Sequence, residues 1–143
     1  MTFLLDVNVL IALIDPTHVS HEAAHDWFAR KGRESWATCP ITENGVIRIV
    51  GHPKYPNAPG SPALVAEIVR ALRALPGHVF WFDSVTLLDD KRVRATELLT
   101  AQQVTDTYLL ALAASHGGQL ATFDRRLSTR AVVGGRDALH LIG

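Results

Sequence analysis

Two groups of residues in this chain are of the right type and spacing to do chemistry, and they ask for different metals. Residues 21–25 read HEAAH. On a helix, two His four positions apart hold zinc and the intervening Glu serves as base, as in metalloproteases. The second group is acidic: Asp6, Glu43, Asp106 and Asp124, spread over nearly 120 positions. Four carboxylates held together repel one another and raise each other's pKa, and a divalent cation relieves that repulsion. Oxygen donors without Cys suit a hard ion, Mg²⁺ or Mn²⁺. Such a site fits hydrolysis of a phosphoryl ester. One ion activates a water and a second can steady the leaving oxygen, with no His needed as base.

Whether the acids converge depends on the elements that carry them. TFLL (2–5) is a short apolar run ending at Asp6 and reads as a buried strand, and VLIALI after it reads as a helical turn closing at Asp15-Pro16. Ser20 to Lys31 has a helical pattern stopped by Gly32, and SWATC (35–39) reads as a second strand. Pro40 opens a helix through Ile49, placing Glu43 in its first turn. Residues 51–62, with four Pro and two Gly, form a loop. Residues 63–75 form an amphipathic helix, HVFWF (78–82) a third strand and 89–99 a further helix. Thr105 is expected to cap a helix that begins with Asp106 and closes at Gly117-Gly118. QLATF (119–123) leads into Asp124 as a fourth strand, and ALHLI (138–142) is a fifth.

Strands alternating with helices imply an α/β fold with a mostly parallel sheet and helices on both faces. Ligands of such sheets bind beyond the carboxyl ends of the strands, where the following helices also begin. All four acids are therefore expected at one edge. Asn8, two positions after Asp6, and Thr122, two before Asp124, are candidates to orient those carboxylates or the attacking water. Each residue taken alone has an ordinary reading as a cap, a dipole partner or a turn former; the ensemble carries the argument.

The zinc reading fares worse. Helical spacing turns Val19, Ala23, Ala24, Trp27 and Phe28 toward the core and leaves His21 and His25 opposite, toward solvent. The third His of an extended zinc motif is absent, with Phe28 and Lys31 at those positions. The pair is read as a solvated face, or with His18 as an adventitious metal or partner contact.

Composition bounds the rest. The 143 residues suit one domain, and the 48% hydrophobic content is enough for a core. Fourteen cations balance fourteen acids, which argues against an indiscriminate nucleic-acid coat while allowing a local basic rim. The single Cys39 permits no internal disulfide, so a cytoplasmic setting is the default. The N-terminus lacks a basic region and a cleavage site, so it does not read as a signal peptide, and no apolar run approaches a membrane span.

The stretches FLLDVNVLIAL, ITENGVIRIV and VTDTYLLALAASHGGQLATFDRRL together resemble the PIN-domain ribonucleases, in particular the VapC-type toxins of toxin–antitoxin pairs. The resemblance covers the chain almost end to end. It implies a three-layer α/β/α sandwich, cleavage of RNA with Mg²⁺ or Mn²⁺, neutralisation by a small antitoxin protein, and a homodimer. Asp6, Glu43, Asp106 and Asp124 fall on the family's four acidic positions. Asp6 and Asp106 are the positions most often assigned to direct metal contact, and Asp124 joins them as a candidate ligand.

Several readings stay open beside this one. A PIN-like module could hold RNA or a partner without cutting, and a processing nuclease need not be a toxin. DVNVL also suggests a haloacid-dehalogenase-like phosphatase, but Asn8 stands where that chemistry wants a second Asp. Lys54 and Tyr55 in the proline loop, and Arg48, Arg125 and Arg126, are candidate RNA contacts through phosphate pairing or base stacking.

Overall fold

The computed structural model describes residues 1–143. Five short strands, β1 (Phe3–Leu5), β2 (Trp36–Thr38), β3 (His78–Phe80), β4 (Gln119–Thr122) and β5 (Leu139–Leu141), form one sheet in the order β3-β2-β1-β4-β5. Every neighbouring pair is parallel. Chain order reverses around β1, so the crevice beyond the carboxyl ends of β1 and β4 is where such a sheet leaves room for a ligand.

Alternation along the strands assigns the two faces. Phe3, Leu5, Trp36 and Ala121 enter one core, with side chains of α1 (Val7–Ile14), α2 (His21–Arg30), α3 (Pro40–Val50) and α4 (Pro62–Arg73). Leu4, Ala37 and Leu120 enter the other, against α5 (Gln103–Ser115), Trp81 and Val132. Both faces are covered, which is the condition for an all-parallel sheet and gives the expected α/β/α sandwich. α1 lies between the sheet and its neighbouring helices, so five of its eight residues are buried and it is apolar on nearly every side.

Three expectations about the elements need correction. Residues 89–99 do not form a helix. Asp89 Oδ1 accepts from the Lys91 N–H at 3.0 Å, and Val93, 1% exposed, forms an antiparallel bridge with Val132. The Arg94 N–H donates to Ala131 O at 2.7 Å. A local side-chain turn and a long-range bridge satisfy the groups a helix would have used, leaving a single 3₁₀ turn at Ala95–Glu97. Thr105 is not a cap: α5 starts at Gln103, whose Oε1 accepts from the Leu99 and Thr100 N–H groups and ties down the preceding turn. The inward face of α2 is narrower than its pattern suggested. Ala24 and Trp27 are buried, but Ala23 is exposed and Val19 is 96% exposed because it lies before the helix begins.

Candidate active site

Asp6 ends β1 and is the N-cap of α1. Its main-chain N–H still belongs to the sheet, donating to Ala121 O at 3.0 Å, so the strand pairing fixes its Cα. Its carboxylate is fixed as well. Oδ1 accepts from the Val7 N–H at 2.8 Å and Oδ2 from the Thr122 hydroxyl at 2.8 Å. The Thr122 hydroxyl is fully committed, since it also accepts from Asn8 Nδ2 and from the Asp124 N–H, both at 3.0 Å. Asn8 completes the link by accepting the Phe123 N–H on its Oδ1 at 3.2 Å. One buried hydroxyl thus gives its only proton to Asp6 and takes donors from both neighbouring segments, which determines its orientation. Thr122 thus contacts the Asp6 carboxylate directly, and Asn8 contacts Thr122.

Asp106 and Asp124 approach the same point from α5 and from the turn after β4. Asp106 lines one cleft with Asp6, Asn44, Arg48 and Thr105, and a second with Asp124, Arg126 and Ser128; it stands on the ridge between them. Burial, then the charges of Asp6 and Asp124, push its pKa from the ordinary 3.8 up to about 6. Burial also raises Asp6, partly offset by the Thr122 and Val7 hydrogen bonds, with Asp124 adding to the rise. No ion pair reaches any of the three aspartates.

Glu43 is absent from the lining of both aspartate clefts. It faces a separate groove between α3 and α4, lined by Ile47, Val69, Arg70 and Arg73. Its Oε2 accepts from the Thr38 hydroxyl at 2.6 Å and lies 3.1 Å from Arg73 Nη1. His78 Nε2 meets the same hydroxyl at 2.7 Å. Glu43 is the fourth residue of the helix that follows β2, the strand beside β1, and its side chain turns toward α4. The next residue, Asn44, is the one that reaches the Asp6–Asp106 cleft. Its signal in the sequence was only its adjacency to Glu43, with a helical step of about 100° between them.

The residues present fit a hard divalent cation. The donors are carboxylate oxygens, two of them with raised pKa and none neutralised by a protein cation. No group of three or more His, Cys, Asp or Glu side chains closes tightly enough to cage an ion with protein atoms alone. Ions of the magnesium class typically take one or two carboxylates and leave the remaining positions to water and substrate phosphate.

The HEAAH segment has a different use. His21 Nδ1 lies 2.7 Å from Ala12 O and His25 Nε2 lies 2.8 Å from Leu13 O, with the rings 4.3 Å apart. The imidazoles therefore satisfy carbonyls that the end of α1 leaves unpaired, with His25 still exposed and His21 half-buried as the spacing suggested. In the proline loop, Tyr55 is engaged within the protein while Lys54 is exposed. Tyr55 donates to Asp15 Oδ2 and Asn57 Nδ2 to Asp15 Oδ1, latching the loop to the far end of α1, about 12 Å of helix away from Asp6. Desolvation would raise Asp15, but the hydrogen bonds from Tyr55, Asn57 and Thr17 outweigh it and hold the carboxyl down to about 2. Of the expected arginines, Arg48 and Arg126 line the aspartate clefts, while the Arg125 guanidinium lies against Gly143.

Comparison with known proteins agrees with this geometry. The PIN domain family matches residues 3–133. Ribonuclease VapC44 of Mycobacterium tuberculosis is 42% identical over 134 residues, 94% of each chain. Ribonuclease VapC39 of the same organism is 43% identical over 134 residues, 94% of this chain and 96% of that one. Among solved structures, M. tuberculosis VapC20, described as a sarcin–ricin loop cleaving toxin, superposes with a TM-score of 0.64 at 14% identity, covering 92% of this chain and 96% of that one. VapBC2 from Rickettsia felis, solved bound to a DNA fragment from its promoter, gives 0.60 at 13% identity over the whole of both chains. At those identities the superpositions speak to the fold, and the sequence relatives speak to the lineage. With its strand order, its aspartate cluster and its similarity along nearly the whole length, the chain belongs to the PIN-domain family, among the VapC ribonucleases.

Proposed function

We propose that residues 1–143 act as one nuclease domain, the toxin of a toxin–antitoxin pair, that hydrolyses RNA phosphodiesters with Mg²⁺ or Mn²⁺ held by Asp6, Asp106 and Asp124. The observation that carries this reading is the convergence of three uncompensated aspartates beyond β1 and β4, one of them raised to about 6. When bound, the cation polarises the phosphodiester and makes an attacking water a stronger nucleophile. The chain's own residues do the rest. Thr122, oriented by Asn8, holds Asp6 in one rotamer, and each Asp6 oxygen keeps a lone pair free for the cation. Arg48 and Arg126 flank the aspartates and are placed to meet phosphate oxygens of the bound strand. The partner is a small antitoxin protein. The active form is a homodimer in the cytoplasm, a reading that the exposed Phe82, Leu88 and Leu99 favour. No helix of the chain is long and apolar enough to cross a membrane.

The test is cleavage of structured RNA by purified protein in EDTA, Mg²⁺ and Mn²⁺. Cleavage that requires the added ion and is lost in Asp6→Asn and in Asp124→Asn, with circular dichroism unchanged, supports the assignment. Undiminished cleavage in either variant removes that residue from the site.

A further inference from the structure

Residues 125–136 carry four arginines, Arg125, Arg126, Arg130 and Arg136, in a chain whose net charge is zero. Arg130 and Arg136 join Arg94 around a cleft of about 640 Å³, larger than either depression lined by the aspartates (about 570 and 420 Å³). The loop that makes this cleft has a specific shape. Gly134 has φ +73°, a left-handed conformation that side chains resist, and a Cβ on Gly135 would stand 2.6 Å from Thr129 O. Arg94 Nη1 braces the loop by donating to Arg130 O at 3.2 Å. The Arg130 and Arg136 guanidiniums make no ion pair and no side-chain hydrogen bond and are exposed. The one carboxylate in the wall, Asp137, pairs with no cation either.

From this arrangement we infer that the Arg94–Arg130–Arg136 cleft is a second phosphate-binding subsite, which takes the backbone of the RNA strand beyond the scissile phosphodiester. Its position connects it to the aspartates. The loop from Asp124 to Asp137 runs from the carboxyl end of β4 to the amino end of β5, where Gln119 Nε2 donates to Asp137 O at 2.9 Å, so it carries Arg126, Arg130 and Arg136 in turn away from the aspartates. A strand that follows this loop past Arg126 reaches the cleft. The lining chemistry selects backbone over base or peptide. The single apolar side chain in the wall, Val132, is 2% exposed, and no aromatic ring is present for a base to stack on. Guanidiniums in a loop hold phosphate through forked hydrogen bonds without reading sequence.

The subsite rests on the ribonuclease reading, and its test separates the two. Binding of a labelled single-stranded RNA to the full chain in EDTA is followed by anisotropy across a salt series, and cleavage of a long RNA and of a dinucleotide is followed in Mn²⁺. In the double variant Arg130→Gln/Arg136→Gln, the slope of log affinity against log salt should fall by about 1.4, or about 0.7 for each lost single-strand phosphate contact. KM for the long RNA should rise about tenfold or more with kcat nearly unchanged, because the lost interaction is equal in ground and transition states. Dinucleotide cleavage should match wild type. Arg30→Gln/Arg33→Gln, at the end of α2 and just after it on the other face of the sheet, controls for net charge. A slope and KM no different from that control would overturn the subsite, as would intact RNA binding accompanied by loss of a protein partner. Wild-type protein that binds RNA with the slope described but never cleaves would refute the nuclease reading and leave the subsite standing.

Discussion

Two acidic environments share the carboxyl edge of this sheet, and the protein treats them oppositely. Beyond β2 and β3, Glu43 receives a hydroxyl from Thr38 and a guanidinium from Arg73. Beyond β1 and β4, Asp6 and Asp124 accept hydrogen bonds, the Asp106 carboxylate accepts none, and no cation pairs with any of the three. Residue type and sheet edge are alike, and only the surrounding charges differ. A carboxylate supplied with its own Arg is compensated within the protein. Carboxylates left together without one are unstable as a set until an external cation arrives. Electrostatic compensation, more than acidic identity, therefore separates the two environments.

The comparison breaks most readily on activity. Asp106→Asn should lower Mn²⁺-dependent RNA cleavage by about a thousandfold or more, since losing an ion's contribution of several kcal/mol has that effect on rate. Glu43→Gln should lower it by less than about tenfold, with any loss traced to altered packing of α3 on α4. Equal collapse in both variants would erase the distinction. An intermediate loss is expected for Thr122→Val, which keeps the shape but removes the proton given to Asp6 and the acceptor used by Asn8 and Asp124. Its signature is weaker Mn²⁺ binding by calorimetry with the fold retained.

Stability should then move in opposite directions at the two places. Without metal, Asp106→Asn relieves buried repulsion and should raise Tm by a few degrees, while Glu43→Gln should lower stability by about 1 kcal/mol or less, because Arg73 is 40% exposed and solvent screens the pair. The pH dependence sharpens this contrast. Asp106 titrates near 6 in the folded state and near 3.8 in the unfolded chain, so the folded state binds the proton more tightly. Metal-free protein should gain stability from this group as pH falls from about 6 to about 4 and lose it as pH rises back through that window. Mn²⁺ affinity should run the other way, weakening below about pH 6 as protons compete for the same oxygens. Calorimetric titrations at pH 5 and pH 7.5 that gave equal affinity would contradict the coupling.

The smallest effect belongs to the far pole. Asp15 is held down to about 2, below its ordinary 3.8, so its stabilisation is present above about pH 4 and is lost as pH falls through 2. Tyr55→Phe should loosen residues 51–61, seen as faster amide exchange there, and leave cleavage unchanged. A drop in RNA affinity would return the loop to the substrate surface.

Much of this was readable before any coordinates. Apolar runs ending in Asp6 and Asp124 marked β1 and β4 because a buried parallel strand has few alternatives at that length. Pro40 and Gly117-Gly118 marked α3's start and α5's end through backbone restrictions local to those residues. The 89–99 segment was misread because its helical pattern lost to a bridge with Val132, a partner 39 positions from Val93 that no local window contains. The carbonyl partners of His21 and His25 were not legible for the same reason, since they belong to another helix.

The sequence by itself determined which strands form, that acids follow them, and that the chain resembles a metal-dependent nuclease family; these depend on short-range sterics and on hydrophobic period. Only the tertiary structure decided which acids keep company. Whether a carboxylate meets Arg73 or another carboxylate depends on helix rotation and on contacts between residues 30 to more than 100 positions apart. Charge interactions act through space, and the chain's order does not encode those distances until it has folded.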